Sequence, residues 1–81
     1  MNIYRAKFSC LCAKNSDVIQ YSLEIHSERM IFIEDIEAAI SEYKNQTAYH
    51  EPMADKLYRK LGGKQIMTAN HGGIEIETRR G

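Results

Sequence analysis

The residues with chemistry to offer are Cys10, Cys12, Asp17, His50 and Glu51. Cys12 closes an alternating run and stands just before a turn, with Asp17 five residues on. A thiol at a strand end beside a loop can be open enough to attack an electrophilic carbon. A carboxyl group across the turn can pass a proton to or from the group that the thiol adds to. The same spacing also fits a small buried hydrophobe followed by a plain turn residue. His50-Glu51-Pro52 opens a helical-period stretch. A carboxylate there gains from the helix N-terminus. It can accept two parallel N–H bonds, the pair that the amino-pyrimidinone edge of a guanine-like ring offers. The other reading is a capping carboxylate with no ligand.

Other groupings carry less. Cys10 and Cys12 share one face if they lie on a strand, and such Cα atoms sit about 6.5–7 Å apart, so a bridge would strain the ladder. Two free thiols in a reducing compartment are expected. Cys10, Cys12, His50 and His71 do not form a usual zinc set: Cys-x-Cys is not the customary pair, and no second pair matches it. No metal is expected. His26 falls on the solvent face of its strand. Arg79-Arg80 reads as a short basic tail, either solvated or touching a phosphate.

These residues need elements to place them. Tyr4, Ala6, Phe8, Cys10 and Cys12 alternate with Arg5, Lys7 and Ser9, and the period of two predicts a half-buried strand. Ile19, Tyr21, Leu23 and Ile25 alternate with Gln20, Ser22, Glu24 and His26 in the same way. Ala13 to Asp17 is a connection of hairpin length. Over residues 33–45 the period becomes helical: Ile33, Ile36, Ile40 and Tyr43 recur, acids crowd the first turn and Lys44 stands in the last. A second helix is predicted from near Glu51, with Pro52 in its first turn. Its stripe is Met53, Leu57 and Leu61, supported by Ala54 and Tyr58, and Gly62-Gly63 ends it. Residues 64–69 and 74–79 form a second hairpin around Asn70-His71-Gly72-Gly73, with Ile74 and Ile76 inward. The order β-β-α-α-β-β predicts an α+β fold: one four-stranded antiparallel sheet with both helices on one face.

At 81 residues the chain makes one domain, 1–81, with one modest core. A tightly held ligand is expected to need a wall from a second copy, and the open outer strands favour an oligomer. The net charge of +0 and pI of 6.8 argue against non-specific nucleic-acid binding as the main task. They leave room for an enzyme that docks one folded RNA. No apolar run approaches the ~18 residues of a membrane span. Charges appear by Arg5 and Lys7, unlike a signal peptide, so a cytoplasmic location is expected.

Phe8-Ser9-Cys10-Leu11-Cys12 resembles the Phe-Thr-Ser-Leu-Cys segment of the QueF nitrile reductases. Tyr49-His50-Glu51 is similar to their Phe-His-Glu. His71-Gly72-Gly73-Ile74-Glu75-Ile76 resembles their closing Arg-Gly-Gly-Ile-x-Ile hairpin. The resemblance covers nearly the whole chain and implies the tunnelling fold, or T-fold, which oligomerises into a β-barrel. One segment departs. Where the reductases carry Glu-Ser-Lys-Ser-x-Lys, which helps to hold NADPH, this chain reads Phe32-Ile33-Glu34-Asp35-Ile36-Glu37. Replacing cations by anions reverses the main attraction for a dinucleotide phosphate.

The departures resemble a sister group, the QueF-like archaeosine synthases or amidinotransferases. Ile33-Glu34-Asp35, Tyr43, His50-Glu51, Ala54 and Leu57 match their pattern. The connection from Cys12 to Asp17 is shorter than in the family. The resemblance implies that Cys12 forms a thioimide with the nitrile of 7-cyano-7-deazaguanine, free or in nucleic acid, tRNA being the usual form. Asp17 would protonate the imide nitrogen, and Glu51 with His50 would hold the ring. Ammonia would then release a formamidine with no cofactor, in a homo-oligomer of two stacked pentamers. The alternatives are an NADPH-dependent nitrile reductase and a non-catalytic purine-binding T-fold module.

Overall fold

Alternation decides the two longest strands. In the computed structural model, which describes residues 1–81, β1 (Asn2–Cys12) and β2 (Val18–Ser27) pair antiparallel, with Phe8 opposite Tyr21 and Cys10 opposite Ile19. Phe8, Cys10, Cys12, Ile19, Tyr21, Leu23 and Ile25 are buried on one face. The hairpin between them is held by Cys12 N–H donating to the Asp17 carbonyl at 2.7 Å and Ser16 N–H donating to the Cys12 carbonyl at 2.9 Å.

Helix α1 (Ile33–Ser41) buries Ile36, Ala39 and Ile40, and Glu34 and Asp35 in its first turn suit the helix dipole. It is shorter than the sequence period predicts. Ile33 is exposed, and Lys44 lies beyond the helix in a turn where Asn45 takes a positive φ of 60°. That turn delivers an element with no periodic signal, β3 (Thr47–Ala48). Asn45 N–H donates to the Ser9 carbonyl at 3.1 Å, and Leu11 N–H donates to the Gln46 carbonyl at 3.0 Å. They lay β3 parallel to the end of β1, with Ala48 beside Cys12.

Helix α2 (His50–Leu61) buries Met53, Ala54, Leu57 and Leu61. Gly62 closes it at φ 71°, and the Gln65 amide donates to the Leu57 and Gly62 carbonyls at 3.1 and 2.9 Å. At Gly63 a β-carbon would stand 2.6 Å from the His26 carbonyl oxygen, at φ +74°, so only glycine lets the chain turn so close to β2.

Strands β4 (Lys64–His71) and β5 (Ile74–Arg80) complete the sheet, in the order β3-β1-β2-β4-β5. The expected four-stranded sheet is thus a five-stranded one, because β3 is recruited by backbone hydrogen bonds rather than by side-chain pattern. The inward placing of Ile74 and Ile76 also needs correction. They share a face with the core, Ile76 lying beside Ala69, yet they are 67% and 38% exposed, since two helices do not cover five strands. The expected basic tail is in fact the end of β5: Arg79 pairs with Glu77, and Arg80 reaches Asp55 of α2 at 2.6 Å. His26, half-buried, bonds Glu24 at 2.9 Å, and Glu24 also takes Arg5 at 2.7 Å. The 16-residue core lies between this face and the helices. No helix is long and apolar enough to cross a membrane.

Candidate functional site

The two thiols meet different fates on the same face. Cys10 is fully buried, its Sγ 3.8 Å from the Met53 sulfur, and burial pushes its thiol up to about 11. A thiol of that kind is an inert packing group. Cys12, at 8% exposure, borders a cavity of about 220 Å³. β3 explains what it faces. With Ala48 registered beside Cys12, the chain turns two residues later into α2, and Tyr49 and His50 arrive at the cavity wall. Tyr21 from β2, His71 from β4 and Ile76 from β5 line the other sides.

His50 is the most unusual group. Both ring nitrogens are buried without a hydrogen-bond partner. The ring lies 5.5 Å from Tyr21, which stacks on Phe8 at 5.4 Å. Burial lowers the imidazole's affinity for a proton. The nearby Glu51 carboxylate and the Met67 backbone oppose that effect, and Arg80 adds to it. The neutral form therefore predominates near neutral pH. Orphaned buried polar atoms cost about 1–3 kcal/mol each, and a ligand with complementary groups would recover that cost.

A pH dependence follows. The unfolded chain protonates this histidine near its ordinary value of about 6.5, and the folded chain does so only below it. The unfolded state then binds more protons, so the stability contribution is complete above that value and is lost as pH falls. Urea midpoints should drop as pH falls through about 6.5 and below, and His50→Gln should flatten that slope.

Of the expected site residues, the structure brings Cys12 and His50 to one cavity. Glu51, next to His50 at the start of α2, is exposed and lies outside the lining. Asp17 is exposed too: its backbone ties the hairpin, its N–H donates to Asn15 Oδ1 at 3.1 Å, and its side chain does not line the cavity. No three His, Cys, Asp or Glu side chains gather as a metal-binding set. Larger clefts run between β1 and α1, about 560 Å³, across the open sheet face, about 630 Å³, beside the start of α1, about 390 Å³, and at the end of β2, about 360 Å³; the last holds the His26 imidazole, but none of them holds a thiol. Sequence reasoning missed Lys14 and Tyr21 as cavity residues. For Lys14 the signal was its place two residues past Cys12 in a tight hairpin, which must fold back over the strand end.

No protein-family model matches the chain, and no curated protein matches its sequence. Its structure is similar to that solved as "Crystal structure of the archaeosine synthase QueF-Like in the apo form", with a TM-score of 0.71 over 98% of this chain and 89% of that one, at 18% identity. The chain therefore has the QueF-like fold that its motifs resemble.

Proposed function

We propose that this QueF-like chain is an amidinotransferase of the archaeosine-synthase type. The Cys12 sulfur adds to the nitrile carbon of 7-cyano-7-deazaguanine, forming a thioimide, and ammonia displaces the sulfur to leave a formamidine. Glu51 accepts the N–H pair of the ring, and the orphaned nitrogens of His50 take up partners on the same guest. The imide nitrogen receives its proton from the turn after Cys12, where Asp17 and Lys14 both stand. One observation carries this reading: residues 38 positions apart, a cavity-facing thiol and an unpartnered imidazole, border one space. The likeness to an archaeosine synthase supports it. Glu34, Asp35 and Glu37 are exposed around the start of α1 and would repel a dinucleotide phosphate, which favours ammonia over hydride chemistry.

The experiment is intact-protein mass spectrometry with 7-cyano-7-deazaguanine offered free and in tRNA. The expected result is one nitrile per chain, released as the formamidine when ammonium is added, with no NADPH consumed. A wild-type chain that gains no mass with either substrate, or that oxidises NADPH, sinks the proposal.

Ile76 lines the cavity yet is 38% exposed, and a second copy against β5 would complete this wall. The outward backbone groups of Ile3, Arg5 and Lys7 have no ladder partner, since β3 pairs only near Leu11 and Cys12. β5 is the opposite edge. The strands β1, β2, β4 and β5 alternate in direction, so a copy rotated about an axis along the strands sets its β1 antiparallel to β5. Head-to-tail joining of this kind closes a ring where the rotation between copies divides a full turn. The unpaired charges agree: on the open face Lys7 of β1 and Glu75 of β5 have no ion-pair partner in the chain, while Arg5 is held by Glu24 and Glu77 by Arg79.

A further inference from the structure

Lys14 is the one residue of fixed charge among those lining the cavity, and no carboxylate lines it. The six ion pairs of the fold leave Lys14 free. The titratable groups that face Cys12 from the packed elements are Tyr21 of β2, His71 of β4, Tyr49 and His50 at the start of α2, and Cys10 one pair back on β1. Burial keeps Tyr21 and Cys10 protonated, and His50 is neutral. Glu51 and Arg80 act on His50 from outside the lining. The fixed charge that borders this cavity is therefore positive: Lys14 is exposed at the hairpin and shares the lining with the Cys12 sulfur. Asp17, the other charged residue near the turn, is exposed and is not among the residues lining the cavity.

We propose that Lys14 is a catalytic residue that meets the negative charge created when the Cys12 sulfur attacks a nitrile and that it protonates the nitrile nitrogen. The inference rests on the nitrile reading above and deepens it. As the S–C bond forms, one π pair of the triple bond moves onto nitrogen and takes a proton from the Lys14 ammonium. The thiol proton passes to the neutral His50 and returns from there to the Lys14 amine. In sum S–H adds across C≡N, and no oxidant or reductant is needed. The site thus suits small electrophiles whose reacting carbon hands charge to a terminal heteroatom.

The test needs no nitrile at first. Cys12 is alkylated in the full-length chain with neutral iodoacetamide and with anionic iodoacetate, Cys12→Ala supplying the blank. Lys14→Met should lower the iodoacetate-to-iodoacetamide rate ratio about tenfold, since a lost cation costs the anion alone, and Lys14→Arg should preserve it. A merely structural lysine would slow both reagents alike, and an unchanged ratio overturns the assignment. With the nitrile, Lys14→Met should slow adduct formation about 100-fold. If Asp17→Asn slows it as far, the proton comes from the carboxyl group and the assignment is overturned. A wild type without any nitrile adduct overturns the nitrile reading, and the alkylation ratio still decides whether Lys14 receives anions.

Discussion

Cys12→Ala is expected to abolish the nitrile adduct and to cut turnover by at least about 10⁴-fold, the scale of losing a covalent nucleophile. Cys10→Ala is the demanding control. Cys10 is on the same face, two residues away, but at 0% exposure and with its thiol pushed up to about 11 it cannot reach a substrate. Its loss removes core packing worth about 1 kcal/mol, a melting shift of about 4–8 °C for a domain of this size, while adduct formation persists. The measurement is the adduct fraction by intact mass beside a melting curve for each variant. An adduct that survives Cys12→Ala, or that vanishes with Cys10→Ala in a folded chain, places the chemistry elsewhere.

The contrast between the thiols also shows how far the sequence could be read. Alternation assigned both cysteines to the core face, and the strand end singled out Cys12. It did not reveal that the cavity begins between positions 10 and 12, because that boundary is drawn by Met53 and His50 arriving from α2. The cause is β3. Thr47-Ala48 is too short to carry a period, and it forms because Asn45 and Gln46 bond to Ser9 and Leu11. Periodicity gave the faces of β1, β2 and α2, and Gly62-Gly63 gave the end of α2. For β5 it gave the face without the cover: Ile74 and Ile76 alternate like core residues, but the fold leaves them exposed. Lys14 stayed hidden because turn residues have no periodic face, and only the folded hairpin shows which way one leans.

Those uncovered isoleucines carry the second large prediction. In a lone chain Ile74 is 67% exposed, so Ile74→Lys removes little from the fold itself. In the proposed ring its neighbour is the cleft between β1 and α1 of the next copy, lined by Ile33, Ile36 and Ile40 with Glu37 and Lys44 at its borders. A lysine forced into such a seam costs several kcal/mol unless it finds a carboxylate, and the cost recurs at every interface of the ring. Ile74→Lys should therefore run as a monomer in light scattering while its circular dichroism stays native, and it should lose the adduct because the cavity loses its outer wall. Ile74 is not itself a lining residue, so this loss reports assembly rather than a damaged pocket. Charge supplies the complementary arm. Glu75 and Lys7 are both without an ion-pair partner in the chain, and like charges across paired strands destabilise. Glu75→Lys and Lys7→Glu should each weaken the ring, and the double exchange should restore it. A monomeric wild type, or an Ile74→Lys variant that still assembles, removes the edge-to-edge ring from the proposal.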